Sequence, residues 1–198
     1  MDLLPCAPVH AALVAGWPTS AAEAVMWCGS HEFPVSEQTV AGWQQADDVE
    51  AHVLVDGRRV VGYGELWSDA EEDEAELARI IVAPGARGAG LGRVLVRGLL
   101  ARAVRAGFAD VYMRVHPDND RALRCYLGAG FRPVDPGLAE SWNTAQPVGY
   151  VWLRHDADAS APDSVHMDEL HTHGCTRSGP VCEAQPTSLV HGGVGGRA

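Results

Sequence analysis

Residues 77–100 read LARIIVAPGARGAGLGRVLVRGLL. Leu77, Ile80, Ile81 and Val82 form a short apolar, largely branched run, the composition of a buried strand. Pro84 and Gly85 end it. Arg87-Gly88-Ala89-Gly90-Leu91-Gly92 follows, and behind it Leu91, Val94, Leu95, Leu99 and Leu100 recur at roughly helical spacing. The stretch predicts strand, glycine loop, helix. Glycines at such a junction let backbone N–H groups converge without Cβ obstruction. The first N–H groups of a helix lack intrahelical partners, and the helix dipole adds partial positive charge there. The product is a cradle for phosphate, with Arg87 and Arg93 adding fixed positive charge.

Two common phosphate ligands do not fit. A dinucleotide fingerprint, G-x-G-x-x-G, would place its third glycine at position 93, which is arginine. A P-loop needs a lysine, and all fifteen Lys/Arg positions are arginine. What remains is R-x-x-G-x-G. Some thirty residues on, Val111–Val115 reads as a second strand and His116-Pro117-Asp118-Asn119 as a turn with capping residues. Asp120–Leu127 reads as a short helix closed by Gly128-Ala129-Gly130-Phe131.

Together these segments resemble the GNAT superfamily of N-acetyltransferases. Val82-Ala83-Pro84 and Arg87 to Gly92 look like its pyrophosphate loop. Asn119, Ala122, Tyr126, Gly130 and Phe131 match its N-x-x-A-x-x-x-Y-x-x-x-G-F run. The resemblance covers roughly residues 51–153, with its motif core at 77–131. It implies a mixed α/β fold, a central mixed sheet flanked by helices, over a domain of residues 1–154.

The resemblance also implies acetyl-CoA as co-substrate. Arg87, Gly88, Ala89, Gly90, Leu91, Gly92 and Arg93 would hold the pyrophosphate. The backbone of Ile80, Ile81 and Val82 would pair with the pantetheine arm as a neighbouring strand does. The two motif strands would splay apart, leaving a backbone N–H to polarise the thioester carbonyl. Asn119 would contact the cofactor near the arm. Tyr126 matches the family's general acid, and a phenol with an ordinary pKa near 10 stays protonated at neutral pH. Some protein-acetylating members carry a glutamate on the second motif strand, where this chain has Arg114. Glu65 and Glu76 are the substitute bases, with a chain of waters as the alternative. Trp27, His31, Glu32 and Phe33 fall in the region that shapes the acceptor site, where an aromatic and a carboxylate could hold an amine. His116 belongs to the turn and Cys125 to packing. The implied reaction is direct acetyl transfer to a primary amine in a ternary complex, with a small-molecule acceptor ahead of a protein amine. A non-catalytic CoA-binding module is the competing class. Members often pair through sheet edges, so a homodimer is expected.

Composition narrows the partners. The chain has 198 residues, 46% of them apolar, enough for one domain with a real core. A net charge of −11 argues against nucleic acid or an anionic membrane and suits a cationic acceptor such as an amine. Cys6, Cys28, Cys125, Cys175 and Cys182 are scattered and odd in number, which suggests no disulfide framework and no zinc site. No signal peptide or membrane-spanning run is recognised, so a cytoplasmic location is expected.

The remaining chain follows local rules. Leu3 and Leu4 supply at most a short first strand. Val9–Trp17 reads as a helix. Ser20 caps Ala21–Cys28, with Glu23 placed as in a capping box. Ser36 caps a third helix to about Gln45. Ala51–Val55 and Arg59–Trp67 form a hairpin around Asp56-Gly57. Asp69–Glu76 carries six carboxylates and reads as a turn. Pro147–Leu153 reads as the last strand, with Val148, Tyr150 and Trp152 on one face. Residues 155–198 are Gly-, Ser-, Asp-, His- and Pro-rich and read as a disordered tail. There His166, His171, His173, Cys175, Cys182 and His191 match no standard metal spacing, and no metal is expected.

Overall fold

A computed structural model describes residues 1–70 and 72–156. In chain order, β1 (Asp2–Pro5) leads through a 3₁₀ turn at Pro8–His10 into α1 (Ala11–Ala15). Then come α2 (Ala21–Cys28), α3 (Glu37–Trp43), β2 (Val49–Asp56), β3 (Arg59–Asp69) and β4 (Glu74–Val82). A 3₁₀ turn at Pro84–Ala86 precedes α4 (Leu91–Ala106). The chain continues with β5 (Asp110–Val115), α5 (Asp120–Leu127), β6 (Arg132–Pro133), α6 (Pro136–Asn143) and β7 (Val151–Asp156). The strands make one seven-stranded sheet in the order β1-β2-β3-β4-β5-β7-β6. The β4–β5 pair is parallel and every other pair antiparallel, so the sheet is mixed.

Local chemistry sets the element ends. The Ser20 hydroxyl accepts the Glu23 N–H at 3.1 Å, and Ser36 accepts that of Thr39 at 3.1 Å. Each satisfies one orphan donor of its helix. Asp56 pairs with Arg59 across a two-residue loop whose Gly57 has φ of 60°. Helix α4 runs six residues past Leu100 and stops at Gly107, whose φ is 108°.

Helices cover both faces. On one, Leu54, Leu66, Leu77, Met113 and Leu153 pack with Leu95 and Leu99 of α4 and with Phe131. A Cβ at Gly64 would lie 2.8 Å from Leu99 Cδ1, so the absent side chain lets α4 approach β3 closely. On the other, Tyr63, Val53 and Ile81 pack against Val14, Trp27 and Val40 of α1–α3.

Two irregularities open the sheet where the site lies. β4 and β5 pair only over Glu74–Glu76 with Asp110–Tyr112, although β4 continues to Val82 and β5 to Val115. A gap therefore opens between the two parallel neighbours of the sheet. β4 also carries a bulge. Glu65 pairs with Ala78 and Tyr63 with Ile81, leaving Gly64 opposite both Arg79 and Ile80. Arg79 sits there with φ of 45°, a left-handed conformation that costs a non-glycine residue about 1–3 kcal/mol.

Several boundaries differ from the sequence expectation. α1 is shorter than Val9–Trp17, and α3 stops at Trp43. Asp69 and Glu74 already pair across the β3–β4 hairpin, because the ladder continues into the acidic stretch read as a turn. α6 and β6 have no counterpart in the sequence reading. Asp135 starts α6 by accepting the N–H groups of Gly137 and Leu138 at 2.9 and 3.2 Å, and Pro136 occupies the first turn. The last strand begins at Val151 rather than Pro147. Tyr150 lies outside it because Asn143 of α6 bonds its N–H and its C=O, each at 3.0 Å. β7 runs to Asp156, two residues past the boundary drawn from composition. The reading of a disordered tail and of its His/Cys cluster falls on residues 157–198, outside the described residues.

Candidate active site

A cleft of about 490 Å³ lies along the gap. Ile80, Ile81 and Val82 of β4 form one wall, and Gly88, Gly90, Leu91, Gly92 and Arg93 the next. Asn119, Ala122, Cys125 and Tyr126 close it. Gly88 and Gly90 have φ of 84° and 80°, which L side chains rarely adopt. Gly90 is the N-cap of α4, and no side chain caps that end. The orphan N–H groups of a sixteen-residue helix thus meet the cleft with the positive end of its dipole. Over 77–82 the edge of β4 that faces β5 has no strand partner. Ala89 is exposed and is not among the lining residues.

The arginines divide in function. Arg87 lines the cleft, but its guanidinium is held by protein. Nε donates to Val82 O at 2.9 Å, one terminal nitrogen to Trp17 O at 3.1 Å, and the other pairs with Glu23 at 2.7 Å. Arg87 braces the glycine loop against α2. Arg93 lies against Gly128, where a Cβ would meet its Nε at 2.8 Å. Arg121 and Arg124, which the sequence reading did not single out, bring two further cations to the cleft from α5. Both lie on the motif helix, and their spacing of three along it was the available signal.

Tyr126 sits in the cleft wall only 8% exposed, and no protein group bonds its hydroxyl among the described residues. Burial pushes its pKa well above the usual phenol value, with the neighbouring Cys125 adding to the shift, so the proton stays on. Asn119 lines the cleft and caps α5, its carbonyl accepting the Ala122 N–H at 3.1 Å. Burial also raises the Cys125 thiol, which keeps it protonated and inert as a nucleophile.

Across the sheet, on the face away from α4, the two candidate bases are buried in different ways. Glu65 is saturated. It accepts from the Tyr63 hydroxyl, from Trp67 Nε1 at 2.6 Å and from Arg79 at 2.8 Å. Glu76 bonds Arg114 Nε through Oε1 at 2.9 Å, while its buried Oε2 has no hydrogen-bond partner. Burial raises the pKa of both carboxyls, against the pull of their arginines. A carboxylate does reach the neighbourhood of Arg114, supplied by the adjacent strand.

The guanidiniums lie among aromatic rings. Arg79 is 4.2 Å from the Trp43 centroid and 4.8 Å from that of Trp67. Arg114 is 5.5 Å from Trp67, 5.5 Å from Trp152 and 5.7 Å from Tyr150. Trp27 is buried, edge-on to Trp43 and Tyr63, and its Nε1 donates to Arg79 O at 2.7 Å. It fixes the bulge. His31, Glu32 and Phe33 are exposed in the loop after α2.

Residues 19–131 match the family model described as Acetyltransferase (GNAT) family. The chain belongs to the GNAT acetyltransferase family. Among GNAT relatives, mycothiol acetyltransferase of Kineococcus radiotolerans is 48% identical over 66 residues, 33% of this chain and 21% of that one. The ribosomal protein bS18-alanine N-acetyltransferase of Escherichia coli is 29% identical over 102 residues, 52% of this chain and 67% of that one. The chain spans 21–47% of the lengths of the first curated relatives it matches. Among solved structures, aminoglycoside acetyltransferase AAC(6')-Ib in complex with coenzyme A and kanamycin superposes with a TM-score of 0.64 at 18% identity. That match covers 80% of this chain and 95% of the other. Spermidine N-acetyltransferase from Vibrio cholerae, in complex with CoA and spermine, gives 0.59 at 18% identity, covering 68% and 82%. At that identity the likeness establishes the GNAT fold.

Within that fold the aromatic and arginine face is the part that sequence reading missed. Its members come from α3, β3, β4, β5, β7 and the segment before β7, and apart from the alternation of Tyr150 and Trp152 no local spacing joins them. No helix among the described residues is long and apolar enough to cross a membrane.

Proposed function

We propose that this chain transfers the acetyl group of acetyl-CoA to a primary amine by direct attack within a ternary complex. The observation that carries the reading is the uncapped N-terminus of α4, opening with Gly88, Gly90 and Gly92 onto a cleft that continues along the unpaired edge of β4 to Tyr126. The residues present fit the ligand. Helix N–H groups with Arg93, Arg121 and Arg124 suit a pyrophosphate, and an unpaired strand edge suits the amides of a pantetheine arm. Acetyl-CoA supplies an activated acyl thioester when bound.

The chain's own groups then orient the reactants and move protons. Unpaired backbone N–H groups of β4 beyond the bulge would polarise the thioester carbonyl. The amine nitrogen forms the new N–C bond, the C–S bond breaks, and Tyr126 gives its hydroxyl proton to the departing thiolate. Glu76 is the proton acceptor, reached through water, because among the described residues its Oε2 is the one buried carboxylate oxygen of this face without a protein donor. A raised pKa suits a base working near neutrality. A small-molecule amine is the first choice of acceptor. A protein N-terminus is the second, favoured by the E. coli relative named for the alanine of a ribosomal protein.

Calorimetric titration with acetyl-CoA, CoA and NADH tests the cleft. Saturable one-site binding of both CoA forms and not NADH is expected. No binding of either CoA form would overturn the reading. Thiol release over an amine panel then tests transfer, and a non-catalytic CoA module would bind without releasing thiol.

A further inference from the structure

Resting on that reading, we propose that the acceptor amine carries an anionic group, a carboxylate or a phosphate, held by Arg79 and Arg114. These side chains stand on the two lips of the gap. Arg79 lies three residues past Glu76, the last residue of β4 that pairs with β5, and Arg114 two residues past Tyr112, its counterpart on β5. Both guanidiniums lie over the Trp67 ring, so the two charges share one locality.

The balancing charges do not face outward. The Glu65 and Glu76 side chains are 0% and 1% exposed, whereas those of Arg79 and Arg114 are 19% and 17% exposed. What an entering molecule meets at this lip is guanidinium and indole, not carboxylate. A guanidinium has five N–H donors. Arg79 uses one nitrogen on Glu65, and Arg114 uses Nε on Glu76 and Nη1 on Gln146 at 3.2 Å. The other donors of both side chains have no recorded protein partner among the described residues. Their planes are held by the aromatic rings and their inner edges by the buried carboxylates, so little rotamer freedom is lost when an anion binds. The left-handed backbone at Arg79, pinned by Trp27, aims one of them at cost to the strand. A polycationic acceptor would need exposed carboxylates here, and both buried carboxylates of this face are covered by arginine. The −11 of the whole chain therefore does not describe this lip.

The test is steady-state thiol release by the full chain with saturating acetyl-CoA over matched amines. One set is phenylalanine, phenylalaninamide and phenethylamine. The second is phosphoethanolamine with ethanolamine. Spermine is the polycation. Charge-assisted hydrogen bonds predict that the anion-bearing member of at least one set exceeds its partner lacking the anion roughly tenfold or more in kcat/KM, mostly through KM. The two sets separate carboxylate from phosphate. Arg114→Gln should bring that ratio toward one, and Arg114→Lys, which keeps charge and fold but not the planar fork, should retain only part of it. Thiol release with spermine or the partners lacking the anion equal to or faster than with every anion-bearing partner overturns the inference and leaves the transferase reading standing. Acetyl-CoA binding with no thiol release from any amine overturns both.

Discussion

The two sides of the gap are built from different materials. Along the cleft the ligand-facing groups are chiefly main chain, namely the N–H groups at α4 and the edge of β4, with glycines keeping side chains away. On the opposite face the surface is side chain, with Trp43, Arg79, Trp67, Arg114, Tyr150 and Trp152 laid against one another over two buried carboxylates. A main-chain site keeps its shape while its surroundings vary, so it suits a ligand shared by a whole family. A side-chain site can be rebuilt residue by residue, so it suits the reactant that differs between members. If this contrast is sound, damage to the two sides should separate affinity for acetyl-CoA from everything else.

The largest expected effect is at the junction of the two. Tyr126→Phe should lower kcat about 10²–10⁴-fold with acetyl-CoA affinity almost unchanged by calorimetry, and an unchanged kcat would remove Tyr126 from the mechanism. Next comes the stack itself. Glu65→Ala leaves the Arg79 guanidinium, the Tyr63 hydroxyl and the Trp67 N–H without their acceptor, and should cost about 3–5 kcal/mol in urea unfolding. The cleft should tolerate Gly90→Ala better in stability than in binding. The residue has open space around it but φ of 80°, so the strain of about 1–2 kcal/mol should emerge mainly as weaker acetyl-CoA binding.

A pH profile sharpens the contrast further. Burial raises the Glu76 pKa, so as pH falls through that raised value the carboxylate is protonated and stops accepting protons. The acid limb of kcat should therefore stand above the ordinary carboxylate range near 4.3, and Glu76→Gln should abolish it. The smallest effect belongs to the brace. Glu23→Ala removes a partly exposed ion pair to Arg87 and should cost under about 1 kcal/mol of stability, read as a few-fold loss of acetyl-CoA affinity.

The same division explains what could be read from the chain alone. Gly88, Gly90 and Gly92 announce a main-chain cradle because glycine at a strand–helix junction has few other uses, and Tyr126 stands at a fixed distance from Asn119 on one short helix. Ser20, Ser36 and Asp56-Gly57 marked their elements for equally local reasons. Arg87 was visible as a cation, but its partners Trp17 O and Glu23 lie some seventy and sixty residues away, so its role as a brace was not. The arginine–aromatic stack was hidden for the same reason, since it exists only once β3, β4, β5 and β7 lie side by side. α6 was missed because its signal, Asp135-Pro136, sits in a stretch where neither helical nor strand periodicity stands out.

The bulge at Arg79 acts on β4 as a one-letter frameshift. Before it the odd positions, Ala75 and Leu77, face α4; after it the even positions, Ile80 and Val82, do. The strand is thus two messages spliced out of phase. The first keeps Glu76 on the arginine–aromatic face, and the second turns Ile81 onto that face while Ile80 and Val82 stay beneath α4. Deleting that one residue would restore perfect alternation and leave Ile80 to Val82 on their present faces, whereas regular alternation with the residue kept would exchange the inside and outside of each of them.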